Sequence, residues 1–448
     1  MAIKVGMVSL GCPKNQMDAE LMLAKLEAAG YEITADSGLA DVVIVNTCGF
    51  IADAKQESIE NILEFGKLKE EGRIKKILVT GCLAQRYQQE LADELPECDA
   101  VLGLGANGDI AAAVEQALAG ERPVRFPPRE QWPLDGERLQ TTPHFFAYMR
   151  IADGCDNRCA YCAIPMIRGS QRSRKLETLV GEAKTLAANG VKELVLVAQD
   201  TTVYGRDLYG KPRLPELLQA LCGIEGLEWI RVLYCYPEHV TDELLTVMRQ
   251  EPKIVKYMDL PIQHCSGRVL KAMHRPGDRE TLTAIVRRIR EAVPGIVLRT
   301  TVMTGFPGET KEDFRELCEF IKEMRFERLG CFAFSPEEGT EAATLPAQVS
   351  EKLRCRRRDI IMEEQGRISD RYNESLIGTE KTVLVESFDK YAECWFGRSE
   401  ADAPDIDGKV FLTLPDGDKR PTRLHPGELV RVKITDMLDW DLIGEVIA

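Results

Sequence analysis

The sequence predicts an α/β multidomain fold: an N-terminal parallel α/β domain, a central partial TIM-type (β/α)6 barrel, and a small antiparallel β-barrel at the C-terminal end. Three observations predict it. Short β-rich runs alternate with helical patterns through the first 120 residues and again from Phe145 to Phe334. A proline-rich lapse separates the two stretches. Past Gly378 the pattern changes to short β-runs parted by Gly and Asp turns. At 448 residues the chain is too long for one ordinary core.

In the first stretch, residues 1–120, Ile3–Ser9 reads as a strand, Gln16–Ala29 as a helix, Asp41–Asn46 as a strand and Ala52–Lys69 as a helix. Strand Lys76–Thr80, helix Ala84–Leu95, a short strand at Ala100–Leu102 and helix Asn107–Ala119 continue the alternation. Residues 121–143 hold Pro123, Pro127, Pro128, Pro133 and Pro143 among charged residues and read as an inter-domain linker. In residues 144–377, strands at Phe145–Ile151, Glu193–Ala198, Trp229–Tyr234, Tyr257–Leu260, Val297–Val302 and Arg328–Phe334 alternate with helices. Six such units predict a partial barrel with its chemistry at the strand C-termini. A long helix, Ser350–Leu376, follows. Residues 378–448 carry β-runs at Thr382–Glu386, Lys409–Leu414, Leu429–Asp436 and Leu442–Val446.

Hydrophobic content of 44% and charged content of 29% are those of a soluble globular protein. No apolar run approaches the roughly 18 residues of a membrane span, and Met1–Leu10 lacks the regions of a signal peptide. A cytoplasmic protein without membrane association is expected. Its 14 cysteines then read as metal ligands or buried thiols, because that compartment keeps thiols reduced. The net charge of −14 disfavours a nucleic-acid coat and suits a basic protein partner.

Cys155-Asp-Asn-Arg-Cys159-Ala-Tyr-Cys162 follows the first barrel strand directly. Three thiols within eight residues can wrap one metal cluster. A zinc loop would want a fourth ligand, and no His lies nearby; three ligands on a four-iron cluster leave one iron open. The C-x3-C-x2-C spacing, with aromatic Tyr161 before the last cysteine, resembles the radical S-adenosylmethionine (SAM) superfamily. That resemblance implies a 4Fe-4S cluster whose open iron chelates SAM and cleaves it to a radical, with Tyr161 against the adenine.

Cys12, Cys48 and Cys82 are about 35 residues apart, one β-plus-α unit each, and each stands just after a predicted strand. In a parallel sheet all three emerge at the carboxyl edge, where such sheets place ligands. They read either as buried thiols at strand ends or as three ligands of a second cluster.

Gly11-Cys12-Pro-Lys-Asn15, Asn46-Thr-Cys48-Gly-Phe-Ile51 and Gly81-Cys82-Leu resemble the N-terminal domain of methylthiotransferases, and the resemblance runs through the barrel to a terminal TRAM barrel. It implies a second 4Fe-4S cluster on Cys12, Cys48 and Cys82 that holds sulfur, and SAM as both radical source and methyl donor. It also implies an external electron donor and sulfur source. A C–H bond of this kind is out of reach of side-chain acids and bases, so the cofactors carry the hard step.

Several further residues are candidates. Gln199 and Asp200 end a barrel strand and could contact SAM or cap a helix. Gly305, Gly308 and Glu309 resemble the segment that lets SAM approach the backbone, though a plain turn with a helix cap at Thr310 gives similar residues. Arg168 and Arg174, past the cluster loop, could orient a substrate carboxylate. His264, a lone histidine at a strand end, reads as structural. Cys98, Cys222, Cys235, Cys265, Cys318, Cys331, Cys355 and Cys394 show no ligand spacing. Arg354-Cys-Arg-Arg-Arg358 reads as a solvated helix face before a nucleic-acid patch.

Two branches of the family matter: one modifies an adenosine in transfer RNA, the other an aspartate of small-subunit ribosomal protein S twelve. Residues 379–448 hold nine Lys/Arg and fifteen Asp/Glu, 9 − 15 = −6. An acidic barrel suits a basic ribosomal protein and makes RNA binding by it unexpected. Ile164-Pro-Met-Ile-Arg168-Gly and Ala198-Gln-Asp200-Thr resemble the protein-modifying branch, although Lys175 stands where relatives often carry proline. The expectation is methylthiolation of the aspartate β-carbon. The alternatives are the tRNA reaction and, from a different class, a non-catalytic iron–sulfur electron carrier or RNA-binding module.

Overall fold

The computed structural model describes residues 3–414 and 424–447. Its first sheet holds β1 (Lys4–Ser9), β2 (Glu32–Thr34), β3 (Val42–Thr47), β4 (Lys76–Gly81), β5 (Ala100–Leu102) and β6 (Val124–Arg125). All are parallel, in the order β2-β1-β3-β4-β5-β6. Helices α1 (Pro13–Ala28), α2 (Ala52–Glu70), α3 (Cys82–Glu94) and α4 (Ile110–Leu118) connect them. β3 is buried at every position, as expected of a strand covered on both faces. The consequence for function is topological: β1, β3 and β4 are neighbours, so the residues that follow them share one edge.

Two short strands escape the sequence pattern. β2 has only three residues, and β6 lies in the proline-rich stretch expected to be a linker. Residues 121–143 in fact form a fastened strap. Trp132 Nε1 donates to Asp18 of α1 (3.0 Å), Arg138 pairs with Glu20 (2.9 Å), and Leu139 N donates to the Glu20 carbonyl (3.0 Å).

The second sheet contains β7 (Phe146–Arg150), β10 (Glu193–Val197), β11 (Trp229–Val232), β12 (Ile254–Asp259), β13 (Val297–Thr304) and β14 (Arg328–Ala333). They pair in sequence order, all parallel, as an open six-stranded partial barrel. Between its first two strands lies a ribbon of β8 (Ala152–Asp153) and β9 (Arg172–Ser173). Side chains alternate along each strand. Ala147, Met149, Leu194, Leu196, Ile230, Met258 and Leu298 pack outward on the barrel's helices. Phe146, Tyr148, Val195, Val197, Trp229 and Tyr257 face the concave side.

That concave side is closed by other parts of the chain. β15 (Glu380–Asp389), β16 (Cys394–Ser399), β17 (Val410–Thr413), β18 (Leu429–Leu438) and β19 (Asp441–Val446) form a closed five-stranded barrel. β16 has no counterpart in the sequence reading: its six residues lie between a charged turn and an acidic loop, and pairing with β15 and β17 defines it. The loop after β16 enters the open barrel, where Ala401 and Ala403 join the concave core. Its carboxylates meet buried arginines: Asp402 pairs with Arg328 (2.7 Å), and Asp407 accepts from Tyr257 Oη (2.6 Å) and lies 3.7 Å from Arg299. Glu193, fully buried on the same face, holds Arg231 and Arg398 at 2.7 Å each.

Removing one partner of such a knot leaves buried charge uncompensated. Glu193→Ala is therefore expected to lower stability by about 3–5 kcal/mol, measured by denaturant unfolding, and to make the terminal barrel protease-sensitive first. A loss below ~1 kcal/mol would show that the knot is not what docks that barrel.

Candidate functional site

The two cysteine triplets face one seam, where the carboxyl edge of the first sheet lies over the mouth of the partial barrel. Cys12 is the residue before α1, Cys48 follows β3 directly, and Cys82 opens α3. Two of the three thus stand at helix N-termini, which favour thiolate. Asn15 fastens the loops: its Nδ2 donates to the carbonyls of Leu10 (2.7 Å), Asn46 (3.2 Å) and Thr47 (3.3 Å). Gly11, with φ of +92°, has no room for a Cβ, which would lie 2.8 Å from Cys48 Sγ. The thiols are near enough that ionising one disfavours the others. Burial pushes Cys82 up to about 12 and raises Cys48. Cys12 is also pushed up by burial, but Lys14, Arg168 and the amides of Asn15 and Lys14 bring it below its ordinary value.

The second triplet lies on the loop after β8. Gly154 turns the chain at φ +80°, where a Cβ would sit 2.1 Å from the Ser170 carbonyl, and Cys155 N donates to the Gly169 carbonyl at 2.9 Å. Cys162 N donates to the Cys159 carbonyl (3.0 Å), so the loop coils on itself. Burial raises Cys155 to about 11 and Cys162 to about 12, with the neighbouring thiols adding to both. Cys159 Sγ lies 3.8 Å from Tyr236 Oη, whose ring carries the Arg275 guanidinium at 4.0 Å. Tyr161 is half-buried beside Cys159 and Arg275.

The triplets meet through α3 and the short helix Ile164–Ile167. Cys82 packs with Leu104, Ala163 and Ile167, and Ala163 is the residue after Cys162. Among the described residues no three His, Cys, Asp or Glu side chains close on a single metal ion. The fit to clusters rests on donor chemistry: two sets of three thiols, one on strand ends fastened by Asn15 and one on a loop held by backbone hydrogen bonds, each flanked by cations that offset thiolate charge. Fourteen cysteines form no disulfide, which leaves these six available as ligands.

The remaining sequence candidates divide. Asp200 is buried at the barrel mouth, accepting from Asn157 of the cluster loop (2.9 Å) and lying 3.1 Å from His239 Nδ1. Gln199 Nε2 donates to Asp153 (3.2 Å), while its Oε1 is buried with no partner among the described residues. Both therefore sit against the triplet, and the orphaned oxygen is poised for a ligand's donor. Gly305 is different. A Cβ there would meet Arg354 Cβ at 2.1 Å, so the glycine accommodates the long helix Glu351–Leu376. Glu309 is likewise occupied, accepting from the Gly305 and Phe306 amides and from Arg357 (3.0 Å). At Gly308, with φ of +80°, a Cβ would meet the end of Arg268 at 3.7 Å. Thr310 caps the next helix in a capping box.

Arg168 and Arg174 do not lie at the site mouth as expected. Arg174 is buried between Asp135 and Glu182 (2.5 Å to the latter). Arg168, 2% exposed, spans the seam: Nη2 reaches Asp18 (2.8 Å), Asn15 Oδ1 (3.4 Å) and Cys82 Sγ (3.4 Å), and Nη1 reaches Asp153 (3.1 Å). A substrate carboxylate would have to displace these internal partners. The basic run at Arg354–Arg358 winds around the long helix, with Arg357 turned inward to Glu309 and Arg358 paired with Asp359.

Sequence reasoning missed Asp18, Lys14, Tyr236 and Arg275. Lys14 is buried with its Nζ 3.4 Å from the centre of the Tyr234 ring of the barrel. The only available signal was the density of polar residues early in α1, where Lys14, Asn15, Asp18 and Glu20 are all buried.

Comparison with known proteins places these parts. The descriptions that match are Uncharacterized protein family UPF0004 over residues 4–103, Radical SAM superfamily over 149–321 and TRAM domain over 377–447. The fold is shared by TsrM from Kitasatospora setae, a radical S-adenosylmethionine methyltransferase. That match is 15% identical with a TM-score of 0.55, over 76% of this chain and 77% of that one. The fold and the cluster loop thus define a radical SAM enzyme carrying an extra thiol-bearing domain and a terminal TRAM barrel. Ribosomal protein uS12 methylthiotransferases cover the chain end to end: that of Geobacter sulfurreducens is 48% identical over 99% of both chains. That of Pelotomaculum thermopropionicum is 50% identical over the whole of both. The chain belongs to the ribosomal protein uS12 methylthiotransferase family.

Two outcomes follow from this geometry. Gly154→Ala is expected to displace the Cys155 loop, so that anaerobic reconstitution gives about four irons per chain where the unchanged protein holds about eight; an unchanged iron content would mean that the turn does not shape the loop. His264 is buried and burial lowers its pKa to about 4, with Nδ1 accepting from Ser266 N (2.9 Å). The folded state resists the proton that the unfolded chain takes up near pH 6.5, so stability falls as pH drops from there towards 4. The loss is up to about 3 kcal/mol. Urea unfolding at pH 7 and pH 5 should show a smaller pH dependence in His264→Gln.

Proposed function

We propose that this chain inserts a methylthio group at the β-carbon of an aspartate of ribosomal protein uS12, with SAM as radical source and methyl donor. The observation that carries the reading is the seam itself. Two sets of three thiols, one from the strand ends of the first sheet and one from the loop after β8, meet there, with Cys82 packed on Ala163. Cys155, Cys159 and Cys162 would hold the SAM-binding 4Fe-4S cluster, and Cys12, Cys48 and Cys82 the second one. Bound there, the cofactors supply what no side chain can: hydrogen removal from an unactivated carbon at one site and sulfur at the other.

The chain's own residues hold and shield. Asp200 and Asn157 fix the barrel loop from the strand side, and Tyr236 with Arg275 does so from across the mouth. Gln199 Oε1 is the free acceptor for the amine or hydroxyl groups of SAM. The buried face of α1, with Lys14 over Tyr234, packs on the barrel across the seam.

Full-length relatives named as uS12 methylthiotransferases support the protein substrate. So does the acidic terminal barrel, with nine Lys/Arg against fifteen Asp/Glu. Part of that acidity is spent internally, since Asp402 and Asp407 face Arg328 and Arg299. The substrate is accordingly a basic protein, and RNA is not engaged by the barrel. An external reductant and sulfur donor complete the reaction. No described helix is long and apolar enough to cross a membrane, in keeping with a cytoplasmic site of action beside the ribosome.

Alanine at all three cysteines of either triplet is expected to halve the iron, from about eight to about four per chain. Each change should abolish modification of uS12 in mass spectrometry of the protein, with tRNA as the parallel substrate. Modified tRNA with unmodified uS12 would reverse the substrate choice, and a reduced protein that leaves SAM intact would return the chain to the electron carriers.

A further inference from the structure

Arg168 reaches both Cys82 of the first domain and the end of β8, the strand that leads into the Cys155 loop. One nitrogen lies 3.4 Å from Cys82 Sγ and 2.8 Å from Asp18 on the first domain. Its other nitrogen lies 3.1 Å from Asp153, the residue before Gly154 and two before Cys155. Asp18 also takes Arg150 (2.5 Å) and Trp132 Nε1 (3.0 Å), and Asp153 takes Gln199 (3.2 Å). The guanidinium is planar, holds its charge at any physiological pH and donates in a fixed fork. Its donors are therefore aimed in set directions, two at carboxylates and one between the Cys82 sulfur and Asn15 Oδ1, each at 3.4 Å.

We propose that Arg168 is a positioning residue that sets the register of the two thiol triplets and donates a hydrogen bond to the Cys82 sulfur, tuning the first-domain cluster. The second half rests on the cluster reading given above; the first half does not. A donor and a positive charge at a ligand sulfur stabilise the more electron-rich, reduced cluster and so raise its potential. Lysine keeps the charge but gathers its donors on one nitrogen, without the planar fork that spans both sides of the seam, and glutamine removes the charge while keeping one donor group.

The test uses the full chain with Arg168→Gln and Arg168→Lys. In the metal-free protein, hydrogen–deuterium exchange reads the register. Arg168→Gln should speed exchange on the order of tenfold in both Asn15–Met22 and Met149–Asp153, with Arg168→Lys between. Unchanged exchange on both sides of the seam would overturn the clasp. The second measurement is made in a background with Cys155, Cys159 and Cys162 changed to alanine, so that only the first-domain site is loaded. An electron paramagnetic resonance redox titration should place the midpoint most negative in Arg168→Gln, intermediate in Arg168→Lys and least negative with Arg168. Equal midpoints would overturn the hydrogen-bond role. If the background itself binds no iron, the cluster reading falls, while the exchange experiment still decides the clasp.

Discussion

Asp18 is a fully buried carboxylate on a helix whose first turn begins at a cysteine, and the arrangement of the molecule depends on what it holds. Arg150 from the end of β7, Arg168 from the barrel's cluster loop and Trp132 from the strap all converge on it. A lone carboxylate at that depth would be unaffordable; two guanidiniums and an indole N–H make it tenable. Because the three partners come from three separate stretches of chain, satisfying Asp18 fixes the first domain, the strap and the barrel together. The cluster loops inherit their alignment from that requirement.

A similar logic operates at the opposite end of the open barrel. A half-open parallel sheet leaves a concave face that must be covered. Here the cover is a loop of the terminal barrel, and its carboxylates answer Arg299 and Arg328 while Glu193 answers Arg231 and Arg398. Apolar contacts through Leu384, Ala401 and Ala403 and these buried ion pairs make the junction together, the charges giving it a defined register at the cost of desolvation. The same acidic residues that make the terminal barrel look suited to a basic partner are thus partly committed to internal contacts.

The chemistry expected of the chain needs thiols that are held apart yet face one another, with water kept out. The glycines beside them and Asn15 serve the first need by letting strand ends approach. Burial of Lys14 over Tyr234 and of Cys82 against Ala163 serves the second. Tyr236 and Arg275 extend the support of the barrel loop across the mouth, from loops distant in sequence.

Much of this was legible in the residues. Period and punctuation gave the α/β units of both sheets, and equal spacing put Cys12, Cys48 and Cys82 at one edge, because neighbouring parallel strands end on the same side. The compact Cys155–Cys162 loop needed no tertiary information. What local pattern could not show was β2, β6 and β16, whose few residues become strands only when a partner supplies the ladder. Nor could it show that a proline-rich strap would be fastened, or that Gly305, Glu309, Arg168 and Arg174 answer internal partners. Charged residues look alike in sequence whether they face solvent or one another. The sequence by itself determined which ligands exist and which edge they share; only the tertiary structure decided which charges are spent inside, because burial is a property of what packs against a residue.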